Sequence, residues 1–203
     1  MDIGAAIKAP FEDPDWVAKC GLTGLCCLVP IVGVLNLFGW LRQYARNRLE
    51  GRVDLPEVGF RYVGAGWQVV VAMLPLGLLA FGVFIVGVVA TIVLGVIAEP
   101  LAAIPGLLSP LLSLAVGFLA PVFLYRHAVH DDRWASARIG WALALAKEHL
   151  MAVVMLWLLS LVASIVGGLG YMALVVGAFI TIPLGQAMVA AGIAEFARTT
   201  NAA

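Results

Sequence analysis

Four long apolar stretches, at about 17–41, 66–98, 101–124 and 150–194, constrain this chain more than any other feature. A helix needs about 20 residues to cross the hydrocarbon core of a bilayer, and each stretch reaches that length. The composition gives no alternative solvent. Hydrophobic residues make up 63% and charged residues 12%, with a mean hydropathy of +1.05. Soluble domains carry about 25% charged residues, so this chain cannot cover a water-facing surface. Its 12 basic and 12 acidic residues balance. That balance argues against a nucleic-acid partner or a polybasic lipid sensor.

The last stretch is long enough for two crossings and is interrupted by Gly167-Gly168-Leu169-Gly170, so it reads as a helical hairpin over 150–195. The middle pair breaks near Glu99-Pro100 and Pro105-Gly106, which makes 66–124 a second hairpin. The expected fold is all-α: one multi-pass bundle over residues 1–203 with about five transmembrane helices. Arg42, Arg46, Arg48, Arg52 and Arg61 cluster in one connection, and Arg126, Arg133, Arg138 and Lys147 in another. The hairpin turns hold no Lys or Arg. By the positive-inside rule, loops 42–65 and 125–149 and the tail 196–203 are cytoplasmic. Both loops are expected to be amphipathic and partly helical along the membrane surface. Leu49, Val53 and Leu55 would anchor the first, and Trp134, Ile139, Trp141 and Leu145 the second.

The segment 17–41 has two readings. It crosses, placing the acidic tail 1–16 outside, or it breaks at Pro30-Ile31-Val32-Gly33 and re-enters as two half-helices; crossing is the first expectation. The tail has no basic n-region, so no cleavable signal is expected. Cys20, Cys26 and Cys27 form no disulfide framework and read as small apolar residues. Asp13-Pro14-Asp15-Trp16 reads as a capped helix start. Trp40, Tyr44, Trp67, Tyr125, Trp134, Trp141 and Tyr171 fall near predicted boundaries, as an aromatic belt would.

Several motifs occur in a characteristic order: Phe11-Glu12-Asp13-Pro14-Asp15-Trp16, Val29-Pro30-Ile31-Val32-Gly33, Arg46-Asn47 with Glu50-Gly51, and Leu55-Pro56-Glu57. On these the chain resembles the prokaryotic membrane-protein family known as domain of unknown function 4013. The motifs cover roughly residues 1–67, and Val58-Gly59-Phe60 stands where that family carries a longer acidic stretch. The resemblance implies a multi-pass membrane protein and brings no activity or catalytic residues with it.

The strongest chemical cluster is His127, His130, Asp131 and Asp132. Two histidines three residues apart share a helix face, and two carboxylates follow, a combination that suits metal ligation. The cluster also lies at a membrane boundary, where polar residues belong anyway, and no metal or cofactor is expected. Arg42, Arg46, Arg48 and Arg52 are expected to meet anionic headgroups, at about 1 kcal/mol per cation. The apolar stretches hold no ionisable residue at mid-depth, where ion-coupled transporters usually need one. Asn36 and Gln186 are expected to bond between helices, with contact to a substrate as the alternative. No hydrolase, zinc-protease or phosphate-loop signature is present.

Close approach through small residues drives helix packing in lipid. In the last hairpin, Ser160, Ser164 and Gly168 should face Thr181, Gly177 and Ala173, a register centred on Gly170-Tyr171. In the middle hairpin, Gly87, Thr91 and Gly95 should face Gly117, Ser113 and Ser109, centred on Ala102. The expected function is a non-enzymatic assembly, accessory or lipid-interacting component of a prokaryotic cell (inner) membrane. Its partners would be membrane lipids, itself or another membrane protein, and not nucleic acid. The alternatives are a small transporter or channel for an apolar or zwitterionic solute and, more remotely, a lipid-headgroup enzyme.

Overall fold

A computed structural model describes residues 1–172 and 177–200. All regular structure among them is helical. The helices are α1 (Ile3–Lys8), α2 (Trp16–Cys26), α3 (Val32–Leu49), α4 (Val63–Ile97), α5 (Glu99–His130), α6 (Ile139–Glu148), α7 (Leu150–Met172) and α8 (Ala178–Thr200). Four segments are long and apolar enough to cross a membrane: Phe60–Ile97, Ala103–His130, Leu150–Tyr171 and Ala178–Thr200.

The expected first crossing is absent from that set, and the segment breaks into two helices, as its alternative reading has it. Its chain reverses between α2 and α3 at residues 27–31. The break has a local cause. Pro30 lacks an N–H, and Ile31 sits at φ 65°, ψ −62°, letting the Val32 N–H donate to the Pro30 carbonyl at 2.7 Å. This is a γ-turn of the strained kind, in a region β-branched residues rarely enter. The N–H groups of Cys27, Leu28, Val29 and Gly33 also donate to local carbonyls. A turn that satisfies its own donors is one that can sit away from water. At Gly33 a Cβ would overlap the Cys26 carbonyl oxygen, so glycine lets α3 start directly against the end of α2.

Both terminal segments consequently lie at one end of the bundle. Helix α1 packs on α8 and α7. Arg48 pairs with Glu12 at 2.5 Å, and Arg198 donates to the Arg48 carbonyl. The two charged loops share that end, since Arg46 pairs with Asp131 at 2.5 Å and Arg42 with the same carboxylate.

The loop 42–65 is not an amphipathic surface helix. Its first part is the end of α3, and the rest returns along that helix as a strap. Asn47 Nδ2 donates to the Asp54 carbonyl, and Trp40 Nε1 to the Pro56 carbonyl at 2.9 Å. Leu55 is buried beneath the strap, whereas Val53 is exposed. The loop 125–149 does carry a short helix, α6, with Trp134 and Ile139 exposed. Its Ser136 is inserted into α4 beside Pro75: the hydroxyl accepts from Leu76 N (3.3 Å) and donates to the Ala72 carbonyl (2.6 Å). A hydroxyl in the helix ladder is what a proline-opened turn can hold. Trp40, Tyr44 and Tyr125 do not join an aromatic belt. They are fully buried at this end, and Tyr125 stacks on Trp141 and meets Phe196 edge-on.

The middle hairpin turns at the break expected near Glu99-Pro100 and not at Pro105-Gly106, while the last hairpin does not turn at its glycines. α4 and α5 are separated by the single extended residue Ala98, and Pro105 lies inside α5. Pro100 sits in the first turn of α5, where its missing N–H costs nothing. α7 runs straight through Gly167-Gly168-Leu169-Gly170 to Met172. At 1.5 Å per residue α4 is about 52 Å long, well beyond the hydrocarbon core. Its first part packs on α3 and Ser136 and belongs to the charged end.

Candidate functional site

The charged end is built from the motifs picked out in the sequence. Asp13 is 1% exposed and accepts from Lys19 Nζ (2.7 Å), Asp15 N (2.8 Å) and Leu55 N (2.8 Å). Burial pushes its carboxyl up, but the Lys19 ammonium and the two backbone N–H groups outweigh that and hold it below the usual carboxylate range. Asp13 therefore holds the strap to the N-terminal segment; it does not cap α2. Phe11 meets Trp16 edge-on beside it.

The candidate cluster of His127, His130, Asp131 and Asp132 is divided among other partners. Asp131 faces Arg42 and Arg46, while Asp132 accepts from Arg126 (2.8 Å) and Arg138 (2.8 Å). Arg126, more than burial, keeps the Asp132 carboxyl below its ordinary value. His130 turns towards the Tyr125 ring. Among the described residues, no three His, Cys, Asp or Glu side chains gather as a metal would require. The four arginines read as headgroup contacts are engaged within the chain: Arg42 and Arg46 on Asp131, Arg48 on Glu12, and Arg52 on Glu50.

Directly below the arginine layer lies a cavity of about 90 Å³ between α3, α4, α5 and α8. Its walls are apolar except for Arg42, His127 and Gln186. His127 is 1% exposed, with Nδ1 3.0 Å from the Asp132 carbonyl oxygen. A carbonyl only accepts, so Nδ1 carries the proton there and the neutral ring leaves Nε2 as an acceptor. His127 Nε2 and Arg42 Nε are both buried without a partner. Buried polar groups are rarely left so.

Beside the cavity, a larger cleft of about 550 Å³ separates α5 from α7 and α8. Ser113, Gly117, Ser160 and Ser164 line it, and it shares Leu124, Gln186 and Val189 with the cavity. These small residues were expected inside the two hairpin seams. The observed registers differ by about two helical turns. Gly87 faces Ser109, where a Cβ would stand 2.5 Å from the hydroxyl, and does not face Gly117. Thr181 Oγ1 donates to the Gly167 carbonyl at 3.0 Å and does not face Ser160. A turn at Ala98, four residues before the expected centre, and the continuation of α7 through its glycines to Met172 account for both shifts. Thr91, Ser113, Ser160 and Ser164 instead bond to the carbonyl four residues back in their own helix. Gly95 lies exposed on α4, Gly168 has open space around it, and Gly177 begins the turn into α8. Ala173 lies outside the described residues.

Close packing falls on other glycines. Gly39 and Gly66 let α3 and α4 cross backbone to backbone, Gly24 fits against the Phe179 carbonyl of α8, and Gly185 against the Ala163 carbonyl of α7. Arg42 is a cavity residue that the sequence placed at headgroups, and Gln186 is one that it placed between helices or against a substrate. The signal available for Gln186 was its position as a lone amide in an apolar helix.

No curated protein and no solved structure matches the chain. One family does, described as a protein of unknown function (DUF4013), over residues 22–176. That range begins after the Phe11–Trp16 motif and ends before α8. With most of its length matched, the chain belongs to the DUF4013 family.

Proposed function

We propose that this multi-pass membrane protein is a non-enzymatic, lipid-interacting component of a prokaryotic membrane, taking an acyl chain from the bilayer into the cleft between its hairpins. The cleft carries the reading. It opens at the depth of the crossing segments, where hydrocarbon is the surrounding medium, and small side chains on α5 and α7 leave it unfilled. The arginine-bearing end is the cytoplasmic one by the positive-inside rule. The outer half of the α4–α5 hairpin is where a second copy or another membrane protein would dock.

The test uses a phospholipid carrying a photoreactive group near its acyl terminus, with the protein in nanodiscs. Labelling of α5 and α7 along the cleft should exceed that of the outer face of α4, and Gly117→Trp should remove the excess. Uniform labelling would overturn the reading. The re-entrant α2–α3 hairpin favours a second reading, a small transporter or channel for an apolar or zwitterionic solute, because broken helices at depth often line solute paths. Solute flux into proteoliposomes decides between the two.

A further inference from the structure

The cavity and the cleft share three wall residues, and each supplies what the other lacks. The cavity has polar atoms but little room; the cleft has room but hydroxyls already bonded to their own helices. Resting on the lipid-interacting reading above, we propose that the two form one site for a long-chain carboxylic acid. Its carboxyl group meets Arg42 Nε and His127 Nε2, and its chain lies in the cleft.

Three observations select this head group. The first is the pairing of unmet needs. Arg42 Nε–H requires an acceptor, and His127 Nε2 requires a donor or a shared proton. A carboxyl group presents both on two oxygens, one accepting from Arg42 while the other holds its proton against His127. A phosphodiester, a far stronger acid than a carboxylic acid, would take part in that shared proton much less readily. The second is size. A cavity of about 150 Å³ holds a benzene molecule, so about 90 Å³ takes three or four heavy atoms. A carboxyl group with its first methylene fits that limit, and a glycerophosphate head does not. The third is charge. Four guanidinium groups, of Arg42, Arg46, Arg126 and Arg138, share two carboxylates, those of Asp131 and Asp132, above the cavity. That excess favours an acidic ligand. His127 is almost fully buried and Arg42 largely so, which makes their unpartnered nitrogens costly unless something is bound.

The experiment places the full chain in phosphatidylcholine nanodiscs with palmitic acid bearing a terminal diazirine. After irradiation, adducts should concentrate on α5 and α7 around Gly117, Trp157 and Ser160. Unmodified palmitic acid should suppress them at least tenfold, whereas methyl palmitate, which has the chain without the acid proton, should not. Gly117→Trp, at a position where a Cβ meets nothing within 4 Å, should abolish the adducts while the protein still folds. Arg42→Leu and His127→Phe should each reduce them about tenfold. Equal competition by methyl palmitate in the unaltered protein would overturn the proposal without relying on any variant. If the photoreactive phospholipid labels the cleft and palmitic acid does not compete, the carboxylic-acid inference fails while the lipid reading stands. If neither probe labels the cleft above the outer face of α4, both fail.

Discussion

Helices α4 and α8 are both apolar and long enough to cross a membrane, yet they serve opposite purposes. α4 is the more apolar, and 0% of its most apolar 18-residue stretch is buried in the protein. α8 is the less apolar, and 67% of the corresponding stretch is buried. In water that order would be reversed. In a bilayer Leu, Val and Ile lose nothing by facing solvent, because lipid tails are as apolar as they are. Val86, Val89, Ile92 and Val96 accordingly face outward on α4, Val96 being 84% exposed. Ala187, Ala190, Ala191, Gly192, Ala194 and Ala197 fill the inside of α8. Between these two helices, hydropathy marks the outward face and small side chains mark the packed one.

The sharpest way to break this contrast is to enlarge a glycine on each helix. A Cβ at Gly185 already overlaps the Ala163 carbonyl oxygen of α7, so Gly185→Leu should cost on the order of 4 kcal/mol or more and leave little folded protein. Gly82→Leu on α4 meets open space and should change the unfolding midpoint by less than about 0.5 kcal/mol. Monodisperse protein with an unchanged melting temperature from Gly185→Leu would end the argument. Truncation should give the next largest difference. Leu156, on α7 and fully buried, should cost about 3 kcal/mol as alanine, whereas Leu78→Ala on α4 should cost close to nothing. Similar losses from both, measured by steric trapping, would mean that a partner covers α4.

The charged end follows different rules, which sharpens the contrast. Asp13→Asn keeps the side chain's shape but removes the charge facing Lys19, and should lower stability by about 2 kcal/mol. Recovery in Asp13→Asn/Lys19→Met would assign that loss to the unpaired ammonium. The smallest effect is acid sensitivity. Asp13 and Asp132 titrate below their unfolded value of 3.8, so they bind fewer protons folded than unfolded in that range. Their contribution is complete above the unfolded value and is lost as pH falls through the folded ones. Melting temperature should therefore hold steady from about pH 7 to 5 and decline below about pH 4, less steeply in Asp13→Asn. A midpoint that rises on acidification would contradict this assignment.

The sequence made the class of fold legible and left its registers obscure, for a physical reason. Lipid permits only a few backbone solutions, so apolar length and the position of arginines sufficed to place α4, α5, α7 and α8 and to gather both charged loops at one end. Turns were harder to place, because glycine and proline signals borrowed from soluble proteins are weak in membrane helices. Gly167-Gly168-Leu169-Gly170 continues α7, and Pro105 continues α5. Each misplaced turn shifted a whole seam and moved Ser113, Gly117, Ser160 and Ser164 from the hairpin interiors to the cleft. The cavity was unreadable from one sequence, because Arg42, His127 and Gln186 come from three helices far apart in the chain. The family motifs fared better, since Asp13 accepts from Leu55 N, Glu12 from Arg48 and the Pro56 carbonyl from Trp40, which ties the first and last of them to the same end of α3.

The fit of Gly24 against the Phe179 carbonyl has a consequence for how the protein is made. The ribosome releases α2 first and α8 last. The α2–α3 hairpin can pack on α4 soon after it emerges, but the α8 surface that α2 rests on is still untranslated. Its packing is thus completed only once α8 is made, even if the four crossings enter one by one. Until α8 arrives, the face of α2 around Gly24 needs a temporary host, either the insertion machinery or the bilayer interface. A ribosome stalled before α8 should leave Cys27, which shares a hollow with Phe179 and Ile182 of α8, more reactive to a water-soluble thiol reagent than it is in the completed chain.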